Sequence, residues 1–120
     1  MTEAKTYCGS CHCGKVKFQV DLDLSQPLMT CNCSICSRTG SVMAFVPKDR
    51  FHLLSGGDVL TDYQFNTKNV HHVFCSTCGV RSFAEGADRQ GNVMCMVNAR
   101  CLEGVDLKAL TIKEHDGRSA

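Results

Sequence analysis

Seven of the ten cysteines in this 120-residue chain fall into three tight groups. They read Cys11-His12-Cys13-Gly14, Cys31-Asn32-Cys33-Ser34-Ile35-Cys36 and Cys75-Ser76-Thr77-Cys78-Gly79. Thiols at one- and two-residue intervals are spaced to wrap a soft metal ion, above all zinc. Two plus two plus three thiols make one complete tetrahedral site and a second site short of one ligand. A closed zinc site holds structure, whereas an open one can do chemistry. The grouping therefore points to an enzyme with two zinc ions per chain.

Cys11-x-Cys13 and Cys75-x-x-Cys78 are each followed directly by glycine. A metal knuckle must turn sharply so that backbone N–H groups face the sulfurs, and glycine permits the positive φ this often requires. Cys11, Cys13, Cys75 and Cys78 are thus expected to form the closed, structural site. It would tie an early hairpin to a later part of the sheet. His12 lies between two ligands and is expected to point away.

Cys31, Cys33 and Cys36 end instead on Ser37. Ser34 is the expected N-cap of a short helix that places Cys36 in the first helical turn, where the positive end of the dipole favours a thiolate. Three thiolates on a divalent cation leave an electron-rich metal with one free position. Its natural task is to bind an incoming thiol, whose ordinary pKa is about 8.5, and hold it as thiolate at neutral pH. Thiol activation fits this ligand set better than hydrolysis.

Competing readings of the same residues are a disulfide scaffold, buried free thiols and a redox sensor. A further alternative makes all seven cysteines structural, with Cys8, Cys95, Cys101 or a histidine completing the second site. Cysteines one residue apart are poorly placed to join each other, and the spacings match metal knuckles. Cys95 sits in an apolar run and reads as core.

The elements that must position these thiols are short strands. Val16, Phe18, Val20 and Leu22 occupy alternate positions, as in a half-buried strand. Similar runs cover residues 41–46, 50–54, 70–74, 80–84 and 93–97, and the tail at 107–113 can supply a last strand. Gly56-Gly57 and residues 86–91 read as turns or loops. Helical signal is confined to residues 34–39, ended by Gly40, and a turn at 58–62. The expected fold is a mainly β, antiparallel domain spanning residues 1–120, with zinc clips supplementing a small core.

Apolar content of 43% and charged content of 21% suit a globular chain, while a net charge of +1 offers no basic field for nucleic acid. No apolar run approaches the ~20 residues of a membrane span. Residues 1–6 are polar and unlike a signal peptide, so the expectation is a reducing, cytoplasmic compartment.

The motifs resemble the glutathione-dependent formaldehyde-activating enzymes and their centromere protein V relatives. The matching stretches are Gly9-Ser10-Cys11-His12-Cys13-Gly14-Lys15-Val16, the Cys31–Cys36 group, Phe74-Cys75-Ser76-Thr77-Cys78-Gly79, and Val97-Asn98-Ala99-Arg100-Cys101-Leu102. The resemblance implies a structural zinc on Cys11, Cys13, Cys75 and Cys78 and a catalytic zinc on Cys31, Cys33 and Cys36. It also implies a complex β fold like that of methionine sulfoxide reductase B and a Rab-associated zinc protein. The implied activity is that of a carbon–sulfur lyase or synthase joining glutathione to formaldehyde as S-hydroxymethylglutathione, or handling a related thiol conjugate. Arg38, His71, His72 and Arg81 are candidates to meet glutathione carboxylates. The alternative function is a non-catalytic, zinc-stabilised binding or chaperone-like module.

Overall fold

In a computed structural model that describes residues 5–64, 70–87 and 90–116, the chain is mainly β. Its strands are β1 (Lys5–Ser10), β2 (Lys17–Leu22), β3 (Leu28–Cys31), β4 (Met43–Pro47), β5 (Phe51–Ser55), β6 (Leu60–Tyr63), β7 (Val70–Cys75), β8 (Phe83–Ala87), β9 (Val93–Asn98) and β10 (Ile112–His115). One short helix, α1 (Cys36–Thr39), follows β3, and brief 3-10 turns fill several connections. A small sheet has the order β1-β2-β5, and a large one runs β10-β3-β4-β9-β8-β7-β6. All pairings are antiparallel except β10 with β3.

Period-two patterning decides which face of each sheet is sealed. Val16, Phe18, Val20 and Leu22 are all buried, and the residues between them are not. From the large sheet Phe18, Val20 and Leu22 meet Ala44 and Val46 of β4 and Cys95 and Val97 of β9, which form the main core with Leu28, Val42, Ala99 and Leu102, while Val16 packs with Cys11, Cys75 and Phe83. The intervening residues Met43, Phe45, Met94, Met96 and Asn98 therefore face the other side of the large sheet. Although they are apolar for the most part, they are not sealed in the core.

Several expectations need correction. The run at 80–84 is not a strand throughout: β8 begins only at Phe83 and takes in Gly86, the first residue of the expected 86–91 loop. Residues 80–82 are held outside the ladder, because Val80 O accepts from Cys75 N–H and Arg81 O accepts from the Asn98 side chain. Residues 88–89 lie outside the described residues. The turn expected at 58–62 is a 3-10 turn at Gly57–Val59 that passes straight into β6. The tail divides into a 3-10 turn at Leu107–Ala109 and β10, which pairs in parallel with β3. Strands β1 and β3 were not foreseen, since KTYCGS and LMTC carry no clear alternation.

Candidate metal centres

The first knuckle is the loop between β1 and β2, and the second begins at the last residue of β7. Each closes on itself in the same way. Cys11 N–H donates to Val16 O at 3.0 Å, and Cys75 N–H donates to Val80 O at 3.1 Å. Gly14 and Gly79, with φ of 84° and 78°, make the turns that L-residues strongly disfavour. The loops thereby bring Cys11, Cys13, Cys75 and Cys78 together, all four sulfurs lying within 4.8 Å of one another.

These positions fit a tetrahedral ion. A Zn–S distance of about 2.3 Å implies a sulfur–sulfur separation of about 3.8 Å. Cys13 Sγ lies 3.6 Å from both Cys11 Sγ and Cys75 Sγ. Backbone donors face the sulfurs: Val16 N–H points at Cys11 Sγ at 3.4 Å, and the N–H groups of Cys13 and Val80 pull the Cys78 thiol down to about 6. The N–H of Cys78 likewise lowers Cys75 against the opposing effect of burial. Cys13 takes the opposite course. The Lys15 N–H favours its thiolate, yet burial and the thiols of Cys11, Cys75 and Cys78 drive it up to about 11. Four sulfurs this close cannot all carry charge without a cation among them. Val16, Phe83, Val73, Leu60 and Val80 pack around the cluster as an apolar shell.

The second cluster is built from one segment. Cys31 ends β3, Cys33 lies in the following loop and Cys36 opens α1, with the three sulfurs within 4.8 Å of one another. Among the described residues no histidine, carboxylate or further cysteine joins them. Cys95 is in the main core, Cys8 is exposed on β1 and Cys101 is half-buried beside Arg81 O. No cysteine is in a disulfide.

Local structure here departs from expectation. The N-cap is Ile35 rather than Ser34, and no side chain caps the helix. Ser34 instead offers its carbonyl to Arg38 Nη1 at 2.7 Å. The helix is only four residues long, so its dipole is small. Burial, aided by the Cys33 and Cys31 sulfurs, pushes the Cys36 thiol up to about 12. The favoured thiolate is Cys33. Burial opposes its ionisation, but the N–H groups of Cys36 and Ile35 and the two neighbouring thiols hold it below its ordinary value.

The cluster opens on a cavity of about 290 Å³ on the face of the large sheet away from the core. This is at the lower end of the ~300–1,000 Å³ of small-molecule sites. Met29, Met43, Phe45 and Met96 form its floor, and His72, Arg81 and His115 supply polar wall groups. Of the four glutathione-contact candidates, His72 and Arg81 line this cavity. Arg38 is turned to Ser34, and His71 Nδ1 pairs with Asp62 Oδ2 at 2.7 Å on the surface. The methionine and phenylalanine floor was missed in sequence. Its signal was the set of apolar residues out of phase with the core positions in β4 and β9.

Comparison with known proteins gives two findings. Residues 6–113 match the family described as glutathione-dependent formaldehyde-activating enzyme. The fold is similar to a crystal structure of a Rhodobacter sphaeroides protein studied as a structural genomics target, at 32% identity and a TM-score of 0.77, covering 88% of this chain and 99% of that one.

Proposed function

The chain belongs to the glutathione-dependent formaldehyde-activating enzyme family, and we propose that within it this protein is a zinc-dependent carbon–sulfur lyase or synthase acting on a glutathione adduct or a related thiol conjugate. The observation that carries this reading is the Cys31, Cys33 and Cys36 cluster, which opens on a cavity and finds no fourth ligand among the described residues. Cys11, Cys13, Cys75 and Cys78 would hold a structural zinc, and Cys31, Cys33 and Cys36 a catalytic one. When bound at the second cluster, zinc supplies the positive charge that makes an incoming thiol ionise at neutral pH.

The chain's own residues divide the remaining work. Against the opposing effect of burial, the N–H groups of Cys36 and Ile35 and the neighbouring thiols of Cys36 and Cys31 favour the charged form of the Cys33 sulfur. Met29, Met43, Phe45 and Met96 line the cavity beside the cluster and would give the carbon chain of the thiol an apolar surface. In the synthetic direction the thiol sulfur forms a bond to the aldehyde carbon, the carbonyl π bond breaks, and the thiol proton ends on oxygen. The lyase direction reverses each change. A cytoplasmic location agrees with a role for reduced thiols, and no helix among the described residues is long and apolar enough to cross a membrane.

Cobalt substitution followed by titration with glutathione tests the reading. The expected result is two cobalt ions per chain and a change in thiolate-to-metal absorption at one of them. A spectrum indifferent to added thiols would overturn the reading and leave a non-catalytic, zinc-stabilised binding or chaperone-like module.

A further inference from the structure

The cavity beside the second cluster is lined by two kinds of side chain. Met29, Met43, Phe45 and Met96 are apolar, while Thr39, Ser41, His72, Arg81, Asn98 and His115 bring polar groups. Charge among them is uneven. Arg81 is the single arginine or lysine, and among the described residues no carboxylate lines the cavity. A volume of about 290 Å³ is small for a ligand site, so it suits part of a tripeptide thiol better than the whole.

Arg81 is held unusually firmly for a residue between strands. The carbonyls of Val80, Arg81 and Ser82 are each taken by a fixed donor: the Cys75 N–H at 3.1 Å, the Asn98 side chain at 2.9 Å and the Asn98 N–H at 2.9 Å. Its side chain is half-buried, and no carboxylate among the described residues lies within ion-pair distance of it. Desolvation opposes its charge, and the Cys36 sulfur supports it, so the guanidinium feels the second cluster. A guanidinium in this state is a preorganised fork for a carboxylate.

The two ends of glutathione make different demands on such a cavity. The glycyl end carries a carboxylate alone, and it is the nearer of the two carboxylates to the sulfur along the molecule. The γ-glutamyl end carries a carboxylate and an ammonium group on one carbon, so burying it requires an anion as well as a cation. The cavity offers the cation only. Thr39 and Ser41, on the segment that leaves Cys36, bring hydroxyls suited to the amide between cysteine and glycine.

Resting on the reading that the second cluster holds the thiol of a glutathione adduct, we propose that the tripeptide enters glycyl end first, with its glycyl carboxylate on Arg81 and its γ-glutamyl end left in solvent. Arg81 is then the residue that distinguishes the two ends.

The test is a titration of the cobalt-substituted protein at one pH with glutathione, with glutathione whose glycyl carboxylate is converted to the primary amide, and with N-acetylcysteinylglycine, which lacks the γ-glutamyl charges. All three carry an acylated cysteine nitrogen, so their thiols are alike, and absorption at the second cluster reports binding of each. The glycyl amide should bind about tenfold or more weakly than glutathione, because it loses a charge-assisted pair. N-acetylcysteinylglycine should bind within about threefold of glutathione, because charges left in solvent are screened. Arg81→Gln should bring glutathione down to the level of its amide and leave the amide unchanged. Arg50→Gln, at an exposed residue that does not line this cavity, should change none of the three. If the amide binds as tightly as glutathione, or N-acetylcysteinylglycine loses more than the amide does, the orientation fails while thiol binding at the metal stands. A carboxylate preference that survives Arg81→Gln overturns the role of Arg81. If no thiol alters the spectrum, the underlying thiol-binding reading fails as well. Should Arg81→Gln not fold, the three thiols on the unaltered chain still decide the orientation.

Discussion

On the proposed assignment the two cysteine clusters use the same side chain for opposite purposes, and chain topology separates them. Cys13 and Cys75 are 62 positions apart, the first in the β1–β2 loop of the small sheet and the second at the end of β7 in the large one. Cys31, Cys33 and Cys36 come from one strand end, a loop and the start of a helix within six residues. A metal joining distant segments constrains the whole unfolded chain. A metal held by one segment constrains only that segment. The long-range cluster also has its full set of four sulfurs in an apolar shell, whereas the local cluster presents three to a cavity. The proposed separation of stability from reactivity follows this difference in topology, and each part can be broken separately.

The largest expected contrast is between Cys75→Ser and Cys36→Ser. Structural zinc sites in small folds carry about 10–16 kcal/mol, comparable with a whole domain's stability of ~5–15 kcal/mol. Cys75→Ser should therefore abolish cooperative thermal unfolding and most folded protein. Cys36→Ser should keep a cooperative transition, within about 5 °C of the parent, while one of the two bound metals is lost. Circular dichroism melts with metal analysis distinguish these outcomes; equal loss of folding in both variants would erase the division.

Phe51 tests how far the two halves depend on each other. Its ring lies 5.4 Å from Phe18 and 4.5 Å from Phe83, centroid to centroid, so it touches both the main core and the shell of the four-sulfur cluster. Phe51→Ala should cost about 3 kcal/mol, read as a lower urea midpoint. It should leave metal affinity at the Cys31 cluster unchanged, because Phe51 lines no part of that cavity.

Much of this division was legible in sequence because both glycine knuckles and the strand alternation are local patterns. Gly14 and Gly79 announced the turns, and Val16 to Leu22 announced the buried strand. What escaped was non-local. KTYCGS becomes a strand only because β2 supplies a six-residue antiparallel partner. LMTC owes its strand to the tail that pairs with it in parallel. Ser34 looked like an N-cap by residue type, but the helix starts one residue later and the Ser34 carbonyl is taken by Arg38. Cys36 does open α1, but the helix has only four residues and burial raises its thiol. The cavity floor is hardest to read, because a strand apolar on both faces shows residues without saying which face the partner sheet covers.

A smaller contrast comes from two glycines with the same backbone strain. Gly79 and Gly40 have φ of 78° and 67°, and a Cβ at either would meet nothing within 4 Å. The substitution to alanine therefore carries only the left-handed backbone cost of about 1–2 kcal/mol. Gly79 directly follows Cys78 and its N–H donates to Cys75 O at 2.7 Å, closing the knuckle of the long-range cluster, so Gly79→Ala should lower Tm by about 5 °C. Gly40 ends a four-residue helix whose last turn can fray. Gly40→Ala should change Tm less and instead quicken metal release from the Cys31 cluster to a chromophoric chelator. The reverse pattern would mean that α1 stabilises the fold rather than the site.

The smallest expected effect is a pH dependence confined to the cavity side. Burial, and then the charge of Arg81, lower the pKa of His72, with Asp62 opposing them. His72 is therefore neutral in the folded chain at pH values where its unfolded counterpart, at about 6.5, already binds a proton. Unfolding takes up that proton, so the contribution of His72 is fully present above pH ~6.5 and is lost as pH falls below it toward the folded value. The urea midpoint should decline between pH 7.5 and pH 5.5, and His72→Gln should make that decline shallower. Arg81→Gln should also make it shallower, because removing the neighbouring charge brings the folded pKa of His72 back toward the unfolded one. Thiolate protonation lowers metal retention over the same interval, but it is common to the parent and His72→Gln, so the difference between those two slopes isolates His72. Identical slopes would show that the acid limb belongs to the metal clusters alone. A change in the two variants would place a proton-sensitive pair, His72 and Arg81, on the wall of the open site and none of it at the clasp.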